Sequence, residues 1–170
     1  MSQDITIIDT HCHIYYKEFD ADWNEMLVRA EESGVTGMIV TGADLESSRQ
    51  SAEIASRHDN IYFASGIHPH DAEGVDEKQL LEIRQLAMLP KCVAIGEIGL
   101  DFYRNNSPRK EQERVFSSLL KMAGELSMPV VIHDREAHEE TLSMIKDAGI
   151  SNGVMHCFSG DTDFAARCLE

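Results

Sequence analysis

Basic residues are scarce in this chain. Only 15 Lys and Arg stand against 30 Asp and Glu among 170 residues, a net charge of −15. That imbalance excludes a protein that grips nucleic acid by phosphate neutralisation alone. Nucleic acid remains open as a substrate, because bound divalent cations invert the field locally where chemistry happens. Long hydrophobic runs are missing too, and no stretch approaches a membrane span. Met1-Ser2-Gln3-Asp4 puts no basic residue ahead of the short apolar segment that follows, so it does not read as a secretory signal. Cysteine is sparse: Cys12, Cys92, Cys157 and Cys168 form no CxxC pair and no regular spacing. Reduced thiols in a cytoplasmic protein fit that usage. No GxGxxG or GxxxxGKS/T loop supplies a ready phosphate cradle.

What is present is an alternation of strand-like and helix-like segments. The hydrophobic fraction of 42% is ordinary for a soluble domain, and the length allows one sizeable core. Apolar runs at Ile5–Asp9, Gly37–Thr41, Ile61–Ile67, Cys92–Gly96, Val130–His133 and Gly153–His156 read as strands. Helical spacing separates them. The clearest helix runs from about Pro108 to Leu126, with Phe116, Leu119, Leu120, Ala123 and Leu126 as its buried stripe. Ser107-Pro108 predicts a cap followed by proline at the first helical position, and Gly34 and Gly149 predict helix stops. Continuous apolar strands joined by helices mean a parallel sheet covered by helices. Two architectures fit, an open doubly wound sheet or a (β/α)₈ barrel. A barrel gathers its chemistry at many strand ends around one mouth, whereas an open sheet concentrates it at one switch point.

The polar residues fall at many strand ends. Asp9-Thr10-His11-Cys12-His13 closes the first strand. Residues two apart share one side of a strand, so His11 and His13 project together and Cys12 points away. His68 and His70 follow the third strand, Glu97 the fourth, His133 the fifth and His156 the sixth. Imidazoles with a carboxylate suit Zn, Mn or Mg. A glutamate between two sets of histidines can bridge two cations about 3.5–4 Å apart, which acidify water and stabilise charge developing on oxygen. Cys12 and Cys157 are expected to turn toward the helices as small buried hydrophobes, with thiolate ligation as the alternative. His58 and His138 are expected on solvated helix faces.

Wider motifs carry a family resemblance. Gly66-Ile67-His68-Pro69-His70, Gly96-Glu97-Ile98-Gly99-Leu100-Asp101-Phe102-Tyr103, Val131-Ile132-His133-Asp134-Arg135-Glu136-Ala137 and His156-Cys157-Phe158-Ser159-Gly160 follow in order after Asp9-Thr10-His11-Cys12-His13. Together they resemble the TatD family of metal-dependent hydrolases over essentially the whole chain. The resemblance implies a (β/α)₈ TIM barrel, two divalent metal ions, and deoxyribonuclease or related phosphodiesterase activity on nucleic acid. Some members are associated with removing D-amino acids from tRNA. It implies that His11, His13 and Glu97 bind one metal and that Glu97, His133 and His156 bind the other. His68 would line the pocket and contact a phosphate oxygen, and Arg135 would offer a forked donor to a phosphate. Asp101 and Tyr103 would shape the mouth. Arg104, Arg109 and Arg135 could hold a short stretch of backbone, favouring an exposed strand end over a duplex.

The family pattern also has an aspartate after the last strand, and this sequence has no counterpart. Asp161 and Asp163 read instead as helix N-terminal charges. A full barrel has eight strands in ~250 residues, so residues 1–170 are expected to form a single incomplete barrel of about six β/α units. Its open edges predict self-association, and the missing aspartate predicts impaired activity. The competing readings are ester or amide hydrolysis at the same kind of site, and a metal-binding protein without turnover.

Overall fold

A computed structural model describes residues 6–170. Six strands, β1 (Ile7–Cys12), β2 (Val35–Thr41), β3 (Ile61–Ser65), β4 (Cys92–Asp101), β5 (Val130–Arg135) and β6 (Gly153–His156), alternate with six α-helices. The helices are α1 (Trp23–Glu32), α2 (Leu45–Arg57), α3 (Glu77–Ala87), α4 (Arg109–Leu126), α5 (His138–Asp147) and α6 (Thr162–Cys168). Ile5, expected to open the first strand, and the N-terminal segment 1–4 lie outside the described residues.

All the strand pairs are parallel, and the sheet order is β1-β2-β3-β4-β5-β6. A doubly wound sheet reverses its order at a switch point; this one never does. A flat sheet would hold β1 and β6 roughly 24 Å apart at the usual interstrand spacing. Yet the ring centroids of His11 on β1 and His156 on β6 lie 3.5 Å apart. The sheet therefore curls strongly, bringing side chains from its two end strands together inside the curve. This is barrel-type α/β architecture.

Alternation along the strands sorts the core into layers. Phe63, Ile95, Val130 and Ile132 face the helices, and the last three pack with Leu119, Leu120 and Ala123 of α4. Ala64, Ala94 and Val131 form a thinner cluster on the opposite, concave face. His133 shares Val131's parity, so it points into the curve above small residues that leave room for it. Asp44 and Asp76 open α2 and α3 with reciprocal capping boxes. Gly34 and Gly149 end α1 and α5 at positive φ, as expected.

Two local expectations are corrected. Pro108, not Ser107, is the residue before α4, and no side chain caps that helix. The Ser107 hydroxyl is committed elsewhere: it donates to the His70 carbonyl and accepts from the Glu73 N–H. Strand β4 does not end at Gly96 but continues to Asp101 through a register irregularity between Ile95 and Ile98. Gly99, at φ 146°, allows that path, because a Cβ there would collide with the His133 carbonyl.

Candidate metal centre

Glu97 lies at the middle of the concave face with its side chain almost wholly buried. Gly66 makes room behind it, since a Cβ at Gly66 would come within 2.6 Å of the Gly96 backbone. The two carboxylate oxygens face different partners. Oε2 lies 3.2 Å from His11 Nε2, while Oε1 lies 3.0 Å from His133 Nδ1 and 3.8 Å from His68 Nε2. Ligand atoms of His11, Glu97 and His156 all lie within 4.8 Å of one another, and so do those of His68, Glu97 and His133. Glu97 is common to both groups.

His13 stands beside His11, with their Nε2 atoms 3.2 Å apart. Its Nδ1 lies 2.9 Å from the Thr41 carbonyl, which can only accept, so Nδ1 carries the proton and Nε2 presents a lone pair. His68 has the opposite tautomer. Its Nδ1 accepts from the His70 N–H at 3.1 Å, so the neutral ring carries its proton on Nε2. That makes His68 a donor toward Glu97 or a bound oxygen. Its place in the second group is geometric proximity, not a free lone pair.

The protonation states follow from these contacts. Burial alone would raise the Glu97 pKa, but bonds from His11 and His133 outweigh it and hold the carboxyl well below the usual range. Burial, with His133 nearby, pushes His68 down to about 3. Burial and His11 lower His13 and His156 in the same way. His133 goes the other way: burial opposes its charge, but carboxylates on both ring nitrogens raise its pKa. This donor set fits divalent cations. Converging imidazole and carboxylate groups surround one shared carboxylate, and His11 Nδ1 is buried with no hydrogen-bond partner among the described residues.

A sequence profile described as TatD related DNase matches residues 8–170. The chain belongs to the TatD-related DNase family. It is 36% identical to a Bacillus subtilis protein named uncharacterized metal-dependent hydrolase YabD, over 96% of this chain and 65% of that protein. It is 39% identical to a Klebsiella pneumoniae protein named 3'-5' ssDNA/RNA exonuclease TatD, over 96% of this chain and 63% of that one. Among solved structures, the TatD homolog YjjV of Escherichia coli superposes with a TM-score of 0.91 at 30% identity, covering 98% of this chain and 66% of that one. The chain thus spans less than two thirds of the length of these TatD relatives. No helix among the described residues is long and apolar enough to cross a membrane.

Several TatD-type positions behave differently from the expectation. The nearest groups pair His156 with His11, and His68 with His133. Asp101 does more than shape the mouth. It is fully buried; Oδ1 accepts from the Tyr103 and Arg104 N–H groups, and Oδ2 lies 2.7 Å from His70 Nε2 and 3.2 Å from His133 Nε2. Gln112, also fully buried, braces it from α4 by bonding both its backbone N–H and its carbonyl. The signal was available, because residues 97, 99 and 101 share one face once the strand continues. Cys12 turns toward the helical side as expected, and burial pushes its thiol up to about 12. Cys157 does not; it is exposed, because the chain leaves β6 in the left-handed region at φ 46° and breaks the alternation. His58 lies against Trp23 and His138 stacks on Phe164, so neither is freely solvated. Asp161 caps α6, accepting from the Phe164 N–H at 2.8 Å.

Proposed function

We propose that this protein is a metal-dependent phosphodiesterase acting on nucleic acid, with two divalent cations held on either side of Glu97. The single observation that carries this reading is the shared carboxylate, with one oxygen facing His11 and the other His133. The names of the relatives support it. Glu97 would be shared by the two cations, with His11, His13, His133 and His156 completing their ligands. Such ions supply Lewis acidity at a phosphoryl centre and acidify water.

The chain's own residues do the rest. Glu97 stays ionised and ties the two halves together. Asp101 orients His133 from behind, as buried partners of ligating imidazoles commonly do. His133 bears protons on both ring nitrogens when both face carboxylates, so taking up a cation there releases a proton. His68, neutral at physiological pH and carrying its proton on Nε2, donates to a phosphate oxygen held beside Glu97. Arg135, at the end of β5, faces the phosphate from the rim.

The test is cleavage of a labelled single-stranded oligonucleotide with Mg, Mn or Zn added back after chelation. Metal-dependent multiple turnover that disappears in Glu97→Gln is expected. Turnover of carboxylic esters but not of phosphodiesters would replace this reading with the carbonyl one.

A further inference from the structure

The arginines of this chain divide into two sets. Arg29 pairs with Asp22, Arg49 with Glu46 and Glu82, Arg57 with Glu53, Arg84 with Glu125, Arg114 with Glu111, and Arg167 with Glu139. Arg104, Arg109 and Arg135 have no carboxylate partner among the described residues. In a chain with twice as many acidic as basic groups, chance encounter supplies most arginines with a carboxylate. The three that escape lie together, in the segment from the end of β4 to the start of α4 and at the last residue of β5. Helix stability does not explain Arg109, since a cation in the first turn opposes the helix dipole.

Two of the three lie over aromatic rings instead. The Arg135 guanidinium sits 4.1 Å from the Tyr103 ring centroid, and that of Arg109 sits 4.1 Å from the Phe102 ring centroid. Tyr103 is 57% exposed, so its ring is open to solvent despite the stack. The arm is tied to the metal centre. Asp101 accepts from the Tyr103 and Arg104 N–H groups on one oxygen and faces His133 with the other. Arg135 shares His133's parity on β5, so it leaves the strand on the same side as that ligand. An aromatic face beside guanidiniums without counter-ions is the combination that holds a single nucleic acid strand, with bases stacking and phosphates pairing.

We propose that Tyr103, with Arg104, Arg109 and Arg135, forms the platform that grips the nucleotides of a single strand next to the bond held at Glu97. The base stacks on the Tyr103 and Arg135 layer, and the flanking phosphates take the forked donors of the arginines. This inference rests on the nucleic acid reading above.

The test is fluorescence anisotropy of a labelled heptathymidylate and of its abasic counterpart, in chelator so that nothing is cut, across a salt series. Tyr103→Ala is expected to weaken heptathymidylate binding by about tenfold, with a much smaller effect on the abasic strand. Tyr103→Phe should retain the wild-type affinity, and thermal melts of each variant check the fold. Arg109→Gln and Arg135→Gln should each lower the slope of log K against log salt by about 0.7. Equal losses for the two strands in Tyr103→Ala, or unaltered salt slopes in both arginine variants, would overturn the platform while leaving wild-type oligonucleotide cleavage intact. Failure of the wild type to bind or cleave any strand would overturn the nucleic acid reading and the platform with it.

Discussion

Acid should destabilise the cation-free protein through His68 in a way that substitution removes. The ring is nearly buried beside His133 and Glu97, and its pKa falls from 6.5 to about 3. A histidine held neutral in the fold is protonated more readily in the unfolded chain. Its penalty is therefore absent above pH 6.5 and grows as the pH falls toward 3. At pH 4.5 the unfolded chain gains about two pH units of protonation energy that the fold does not, or about 3 kcal/mol. The assay is urea unfolding in chelator at pH 7.5 and pH 4.5 for wild type and His68→Gln, with stabilities taken by linear extrapolation. Comparing the difference between the two pH values in each protein cancels the other titrating groups to first order. His68→Gln should lose about 3 kcal/mol less than wild type on acidification. Equal losses in the two proteins would refute the reasoning, since they would mean that His68 protonates as freely folded as unfolded.

Other consequences follow from the brace behind the site. Asp101→Asn keeps the size of the side chain but removes the charge facing His133 and His70; cation affinity measured by calorimetry should fall by about 10–100-fold. Gln112→Leu leaves the Asp101 backbone groups and the Ser107 carbonyl without their buried partner. Thermal unfolding should show a loss of about 2–4 kcal/mol, with the midpoint lowered by roughly 4–16 °C.

The strand-end histidines and Glu97 were legible because strand alternation and strand order place them with no knowledge of packing. Their grouping was not. Which rings meet depends on how tightly the sheet curls and which way each ring turns, and the contact of His11 with His156 expresses that curl directly. His68 shows the same limit: its role turns on a proton position set by the His70 backbone N–H, which no spacing reveals. Asp101 is undervalued by a reading that stops the fourth strand at Gly96, whereas the strand runs on to Asp101 through Gly99 at its unusual φ. Ser107 resembled a cap in sequence, but tertiary bonds to His70 and Glu73 claim its hydroxyl. Cys157 leaves the alternation because its backbone turns to φ 46° directly after β6.

The central claim is that Glu97 joins two cation sites, and direct counting tests it best. Equilibrium dialysis with elemental analysis should find two divalent cations per chain in the wild type, and none retained at the same free concentration in Glu97→Gln with its fold intact. Full retention in that variant would contradict the account.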